Sequence, residues 1–260
     1  MKHLIDLIEY LENNHHYSSA DEMIKTALDL TQETDAKNRM GAGMFGAFYS
    51  DYTEDQRKQI ENKIGRTPKN IGIKEFHGMT TTTEIIEENL SLIYIAPYIN
   101  ANTDLNTPVY TGSISLSGMI SNRINITQKM PGIHIFEWFN QHMPDDEFGK
   151  SYAIKETRAA IVKKLFNIGV KCNDLHGGNF LVQEKVLQEF TKQYQDQFTT
   201  NEHTGINYDL SQGASLFDFG GFRVNSSTPP GQKLIELKNK MNKDNRIMAK
   251  IIGSIKNIVK

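Results

Sequence analysis

Cysteine is nearly absent: Cys172 is the only one in 260 residues, so no disulfide can close within the chain, which fits a reducing cytoplasm. No uninterrupted apolar run approaches the roughly 20 residues that a membrane span requires. Near the N-terminus Leu4, Ile5, Leu7, Ile8 and Leu11 are interrupted by Asp6, Glu9 and Glu12, a pattern that predicts an amphipathic helix and no secretory leader. An excess of one charge is lacking too. The 29 Lys and Arg nearly balance the 31 Asp and Glu, so no whole-chain field recruits nucleic acid or a membrane surface. Internal repeats and low-complexity segments are also missing. With 38% hydrophobic and 23% charged residues, what remains is an ordinary globular chain, long enough for one large domain or two small lobes sharing a core.

Local patterns divide the chain into three stretches. Residues 1–39 predict a helical hairpin: the helix just described, a polar break at Asn13-Asn14-His15-His16, and a second helix with Ser19 to Glu22 at capping-box spacing. Residues 40–130 read mainly as strands. Gly41-Ala42-Gly43-Met44-Phe45-Gly46-Ala47-Phe48-Tyr49 predicts strand, tight turn and strand; Asn70 to Phe76, Val109 to Leu116 and Ile124 to Met130 predict three more. Among them a helix is expected from Glu84 to about Ala96, stopped by Pro97. Residues 131–260 are mostly helical: a short helix around Trp138, a longer one from about Tyr152 to Asn167 ending at Gly169, an inserted helix from Glu184 to Phe198, and a basic helical tail from Gln232. The insert reads as a solvated helix without a role, and Asp145-Asp146-Glu147 as an exposed loop.

Three motifs carry chemistry. In Gly41-x-Gly43-x-x-Gly46, glycines permit backbone amides to approach phosphate oxygens closely. A Rossmann fingerprint needs a helix directly after such glycines, but Ala47-Phe48-Tyr49 continues as strand, so a hairpin over phosphate fits better. In Asp174-Leu175-His176-Gly177-Gly178-Asn179, an Asp and an Asn five apart across a tight loop bring a carboxylate to an attacking hydroxyl and an amide oxygen to a metal. In Leu216-Phe217-Asp218-Phe219-Gly220-Gly221, a carboxylate ends an apolar strand before two glycines, a placement that suits Mg²⁺.

At these residues the chain resembles the protein-kinase-like superfamily, over roughly residues 40 to 225 and in the family's motif order. GxGxFGxxY is similar to the glycine-rich loop with Phe45 at its tip, Ile71-Gly72-Ile73-Lys74 to the strand-three lysine motif, and Asp218-Phe219-Gly220 to the DFG motif. The resemblance implies an α+β, two-lobed fold: a five-stranded antiparallel N-lobe sheet with one helix, a truncated helical C-lobe, and the 1–39 hairpin as an N-terminal extension. It also implies ATP and Mg²⁺ as cofactors. Asp174 would orient or deprotonate the acceptor hydroxyl, Asn179 and Asp218 would bind Mg²⁺, and Lys74 would pair with the α and β phosphates. Gly41, Gly43, Phe45 and Gly46 would cover the phosphates, and the backbone around Gln128 to Met130 would take the adenine. Lys74 would be held by a glutamate among Glu84, Glu87 and Glu88. Glu88 is preferred, because Leu92 continues its inward face.

The departures refine the expectation. Cys172-Asn173-Asp174 lacks the family's His and Arg, which implies activity without a phosphorylated activation loop. His176, in D-x-H-x-x-N, is similar to the aminoglycoside and choline phosphotransferases. Gly46 and Lys74 are separated by an insertion at about 51–69, where Lys63 is the fallback lysine. Only 40 residues follow Gly220, without an A-P-E motif, as in minimal effector or phage-borne kinases. Ser226, Ser227 and Thr228 read as a polar turn. The expected reaction is transfer of the ATP γ-phosphate to Ser or Thr of a protein. The alternatives are a small hydroxylated acceptor and a pseudokinase that binds partners without catalysis. The expected location is the cytoplasm, or a host-cell cytosol if the chain is an effector. The tail, with eight Lys or Arg against Glu236 and Asp244, offers a dock for an acidic partner or a C-lobe helix with a solvated basic face.

Overall fold

In the computed structural model, residues 39–43, 46–49, 58, 71–76, 80–115, 123–200, 209–240 and 246–259 are described. The expected 1–39 hairpin (beyond Arg39), the turn residue Phe45, Lys63 and almost all of the 51–69 insertion lie outside them. Helices and a small sheet are mixed, which is compatible with the expected α+β class. β1 (Arg39–Gly43) and β2 (Gly46–Tyr49) form the glycine hairpin, with Gly43 opposite Gly46. β3 (Ile71–Phe76), β4 (Tyr110–Ser115) and β5 (Arg123–Gln128) complete a five-stranded antiparallel sheet in the order β1-β2-β3-β5-β4. Residues two apart in a strand share a face, so Lys74 and Phe76 lie on one side of β3 and Ile73 on the other, and all three are buried.

Helix α1 (Thr82–Leu90) crosses in sequence between β3 and β4. Thr81 caps it: the Glu84 amide donates to the Thr81 hydroxyl, and the Glu84 carboxylate accepts from the Thr81 amide at 2.7 Å. The expected stop at Pro97 does not occur. A π-helical stretch, Ser91–Ile95, follows α1, and α2 (Ala96–Asn102) runs on from it with Pro97 in its first turn. The wider turn bonds the Ala96 amide to the Ser91 carbonyl, and Pro97 then sits at a helix start, where its missing N–H costs little.

The remaining chain is α3 (Ile135–His142), α4 (Glu147–Asn167), β6 (Val170–Cys172), β7 (Phe180–Leu181), α5 (Glu184–Thr200), β8 (Ser215–Leu216), β9 (Phe222–Val224), α6 (Pro229–Lys240) and α7 (Arg246–Ile258). β6 pairs with β9 and β7 with β8. α4 buries a stripe spaced by four, Gly149, Ala153, Thr157, Ile161 and Leu165, and ends at Gly169 with φ +74°, a left-handed stop that favours glycine. It starts before Tyr152 because Asp146 caps it, its carboxylate accepting from the Gly149 amide at 2.7 Å. Asp145 lies in the exposed turn expected there, Asp146 caps the helix that follows it, and Glu147 is that helix's first residue.

The insert also differs from expectation. α5 is part of the core: Val186, Leu187, Phe190 and Tyr194 are buried, spaced along one helix face. Phe190 stacks near Tyr152 and Tyr194, and the Trp138 indole N–H donates to the Thr191 hydroxyl at 2.9 Å. The tail is two helices. α6 begins at Pro229 behind a buried Thr228, and α7 packs on α1, α6 and β9 through a face that buries Ile252, Ile255 and Ile258, while Lys250 and Lys256 are exposed. No helix among the described residues is long and apolar enough to cross a membrane.

Candidate active site

β3 carries Lys74 inward because its face alternates, and α1 carries Glu88 toward it because residues 85 and 88 lie on the helix's buried side. The Lys74 ammonium donates to Glu88 Oε2 at 2.5 Å and to Asp218 Oδ1 at 3.1 Å, with Lys74 and Glu88 only 4% and 3% exposed. The Phe76 ring lies 5.1 Å from the same ammonium. Burial presses the Lys74 pKa down, but attraction to Glu88 and then Asp218 more than offsets it, leaving it above the ordinary lysine value. Burial is also the largest influence on Glu88 and pushes its carboxyl up to about 7, against the pull of Lys74. The ion pair is thus fully charged only above about pH 7.

The three candidate glutamates divide their work. Glu84 is engaged by its own capping box, and its carboxylate also accepts from the Thr81 hydroxyl at 2.8 Å. Glu87 accepts from Asn257 Nδ2 at 2.6 Å and pairs with Arg223 at 3.4 Å. Glu88 alone of the three holds Lys74.

The loop between β6 and β7 brings Asp174 and Asn179 together. The Asn179 amide nitrogen Nδ2 donates to the Asp174 carbonyl at 2.7 Å, which commits the donor side of that amide and leaves its oxygen for a ligand. His176 accepts from the Gly178 amide at Nδ1 and its carbonyl accepts from the Asn179 amide, so this histidine shapes the loop. The Asn173 amide donates to the Gly221 carbonyl at 3.0 Å, joining the loop to the Asp218-Phe219-Gly220 segment. Gly221 lets the two segments approach closely at this join: a Cβ there would lie 3.1 Å from the Asp174 amide nitrogen. Phe219 is buried and stacks on Phe222 at 4.3 Å, which anchors the segment carrying Asp218. Asp174 itself is exposed. Beside it, Cys172 is half-buried and its thiol is pushed up to about 12, chiefly by burial, so it is not a nucleophile.

A cavity of about 260 Å³ lies here, lined by Glu84, Glu87, Glu88, Asp174, Asp218 and Arg223 among others. Among the described residues no group of three or more His, Cys, Asp or Glu side chains forms a ready cation cage. One carboxylate at Asp218 and one amide oxygen at Asn179 are a donor set that fits Mg²⁺, which keeps several waters and takes further oxygens from phosphate. The glycine hairpin lies in the same sheet, Phe48 opposite Lys74. Gln128 ends β5 opposite Ile71, and half-buried Met130 follows. Beyond them the Ile133 amide and carbonyl exchange hydrogen bonds with Val182, next to β7, so the segment after β5 runs directly alongside the strand that leaves the Asp174 loop.

Arg223, Asn257 and Asn125 belong to this neighbourhood and were not expected from sequence. Asn125 faces Lys74 across the ladder and donates to Asn89 at 2.7 Å. Compared with family models and with curated proteins, the chain matches none, so its reading rests on this geometry.

Proposed function

We propose that the chain is an ATP- and Mg²⁺-dependent phosphotransferase on a two-lobed, protein-kinase-like fold, moving the ATP γ-phosphate to a Ser or Thr hydroxyl of a protein. The observation that carries this reading is the buried Lys74 ammonium bridging Glu88 and Asp218, with the Asp174–Asn179 loop hydrogen-bonded beside it. A lysine so deeply buried and so fixed is a preorganised positive charge, which phosphoryl transfer uses more than it uses covalent chemistry. Lys74 would hold the α and β phosphates, kept in place by Glu88. Asp218 and the amide oxygen of Asn179 would hold the metal. Bound Mg²⁺ supplies neutralisation of the phosphate charge. Asp174 would accept the proton of the acceptor hydroxyl as its oxygen bonds to phosphorus, and ADP would leave with the bridging oxygen. The exposure of Asp174 favours an acceptor as large as a protein loop.

Incubation with γ-labelled ATP and Mg²⁺ tests this. The expected result is label on a protein, lost by at least about 1000-fold in Asp174→Ala and Asp218→Ala. Label confined to a small hydroxylated compound would replace the acceptor. ATP binding without transfer to either would replace the enzyme by a binding module. Phosphatase-treated protein is expected to keep its rate, since the loop lacks the arginine that a phosphorylated segment would engage.

A further inference from the structure

Glu87, Glu88 and Asn89 are consecutive on α1, and each fastens the helix to a different element. Successive helical residues point about 100° apart, so three neighbours can reach three directions. Glu88 reaches Lys74 on β3, and Asn89 accepts from Asn125 on β5 at 2.7 Å. Glu87 points the other way, where both carboxylate oxygens are used: Oε1 by Asn257 of α7 at 2.6 Å, Oε2 by Arg223 of β9 at 3.4 Å. Arg223 in turn donates to the Gly220 carbonyl at 3.1 Å and the Phe222 carbonyl at 2.7 Å, so Glu87 is tied to the segment that carries Asp218. One turn before Asn257, the Ser254 hydroxyl reaches the Thr83 carbonyl at 3.4 Å, and just past α7 Val259 bridges to Val224 of β9. The two contacts with α1 advance together, from Thr83 to Glu87 and from Ser254 to Asn257. α7 therefore lies along α1 as a second rail.

We propose that α7 is an in-chain brace, with Asn257 and Glu87 as positioning residues that keep Glu88 in register with Lys74. This rests on the phosphotransferase reading above. The brace supplies from within the chain the restraint on α1 that a phosphorylated activation segment would otherwise give, which explains how a loop without that arginine works. Apolar burial of Ile252, Ile255 and Ile258 alone would hold α7 to the protein but would not set the rotation of α1.

The test is a charge swap that leaves the apolar face intact. Asn257→Asp sets a carboxylate against Glu87 and is expected to lower the transfer rate by about 10- to 100-fold, the loss of one hydrogen bond to a charged group. Glu87→Gln with Asn257→Asp rebuilds the bond with donor and acceptor exchanged and is expected to recover the rate to within about threefold. Asn257→Ala, which adds no charge, serves if the aspartate variant fails to fold and should lose several-fold. Hydrogen exchange of the α1 amides is read in parallel and should quicken in Asn257→Asp and return in the double variant. An unchanged rate in both single variants, no recovery in the double one, or unchanged exchange overturns the brace. If the wild-type chain transfers no phosphate, the proposed function fails, and the exchange measurement still decides whether α7 restrains α1.

Discussion

Beside its buried Ile85 and Leu90, α1 is fastened by three consecutive polar residues, Glu87, Glu88 and Asn89, whereas the buried face of α5 is Val186, Leu187, Phe190 and Tyr194. Apolar contact is non-directional and tolerates small rotations, so α5 contributes burial, and with it stability. Hydrogen bonds and ion pairs have narrow geometry, so α1 is held at a definite rotation and translation. A buried ion pair is a poor way to gain stability, because desolvation offsets most of the attraction. Its presence at Lys74 marks the region that positions charge, and the buried apolar face of α5 marks a region that supports it.

The largest effect is expected on the α1 side. Glu88→Gln should lower the transfer rate per folded molecule by more than about 100-fold, since Lys74 keeps Asp218 but loses its shortest partner. A rate near wild type would remove Glu88 from the site. Phe190→Ala should behave in the opposite way. Loss of a fully buried aromatic costs about 3–5 kcal/mol, which lowers the melting temperature by roughly 10 °C, with the rate per folded molecule within about twofold of wild type. A loss of rate there without loss of stability would break the distinction.

The pH dependence sharpens it. Glu88 must ionise to hold Lys74, and burial has raised its pKa to about 7, so activity should be present above that pH and fall as pH drops through it. Stability runs the other way. A carboxyl whose folded pKa is raised takes up a proton more readily when folded, so its contribution is full below its unfolded pKa and is lost as pH rises through about 7. Wild type should therefore lose stability relative to Glu88→Gln between about pH 5 and about pH 8 while it gains activity. Parallel trends would contradict the assignment. The smallest contrast is between adjacent glycines. A Cβ at Gly221 meets Asp174 at 3.1 Å, whereas one at Gly220 meets Asp218 and Glu88 at 3.6 Å, an ordinary contact. Gly221→Ala should slow transfer by about tenfold and Gly220→Ala by less than about threefold.

The glycine hairpin, the Asp174–Asn179 loop and the Asp218 segment were legible because each depends on short-range pattern, whereas the α+β class and Lys74 came from the family resemblance. Alternation marks strands, glycines mark the close turn, and a carboxylate after an apolar strand stands out. Glu84 was also decidable, since Thr81-x-x-Glu84 is a capping box that engages that side chain. Glu88 was preferred over Glu87 for the inward face that Leu92 continues, and it holds Lys74; the partner that occupies Glu87, Asn257, lies 170 residues away and leaves no local signal. The inserted helix announced its buried face in Val186, Leu187, Phe190 and Tyr194, a spacing that outweighs its many charged residues. The passage of the chain through Pro97 had no such signal: it runs through a π turn whose Leu92 and Ile95, with the following Ala96, are buried in the core.

The most direct test compares, under one set of conditions and per folded molecule, γ-phosphate transfer by the wild-type chain, Asp218→Ala and Phe190→Ala. The account predicts Mg²⁺-dependent transfer by wild type, near-normal transfer by folded Phe190→Ala, and none above background by Asp218→Ala, although that variant stays folded. Transfer that survives in Asp218→Ala, or a folded wild-type chain that binds ATP and transfers nothing, would contradict it.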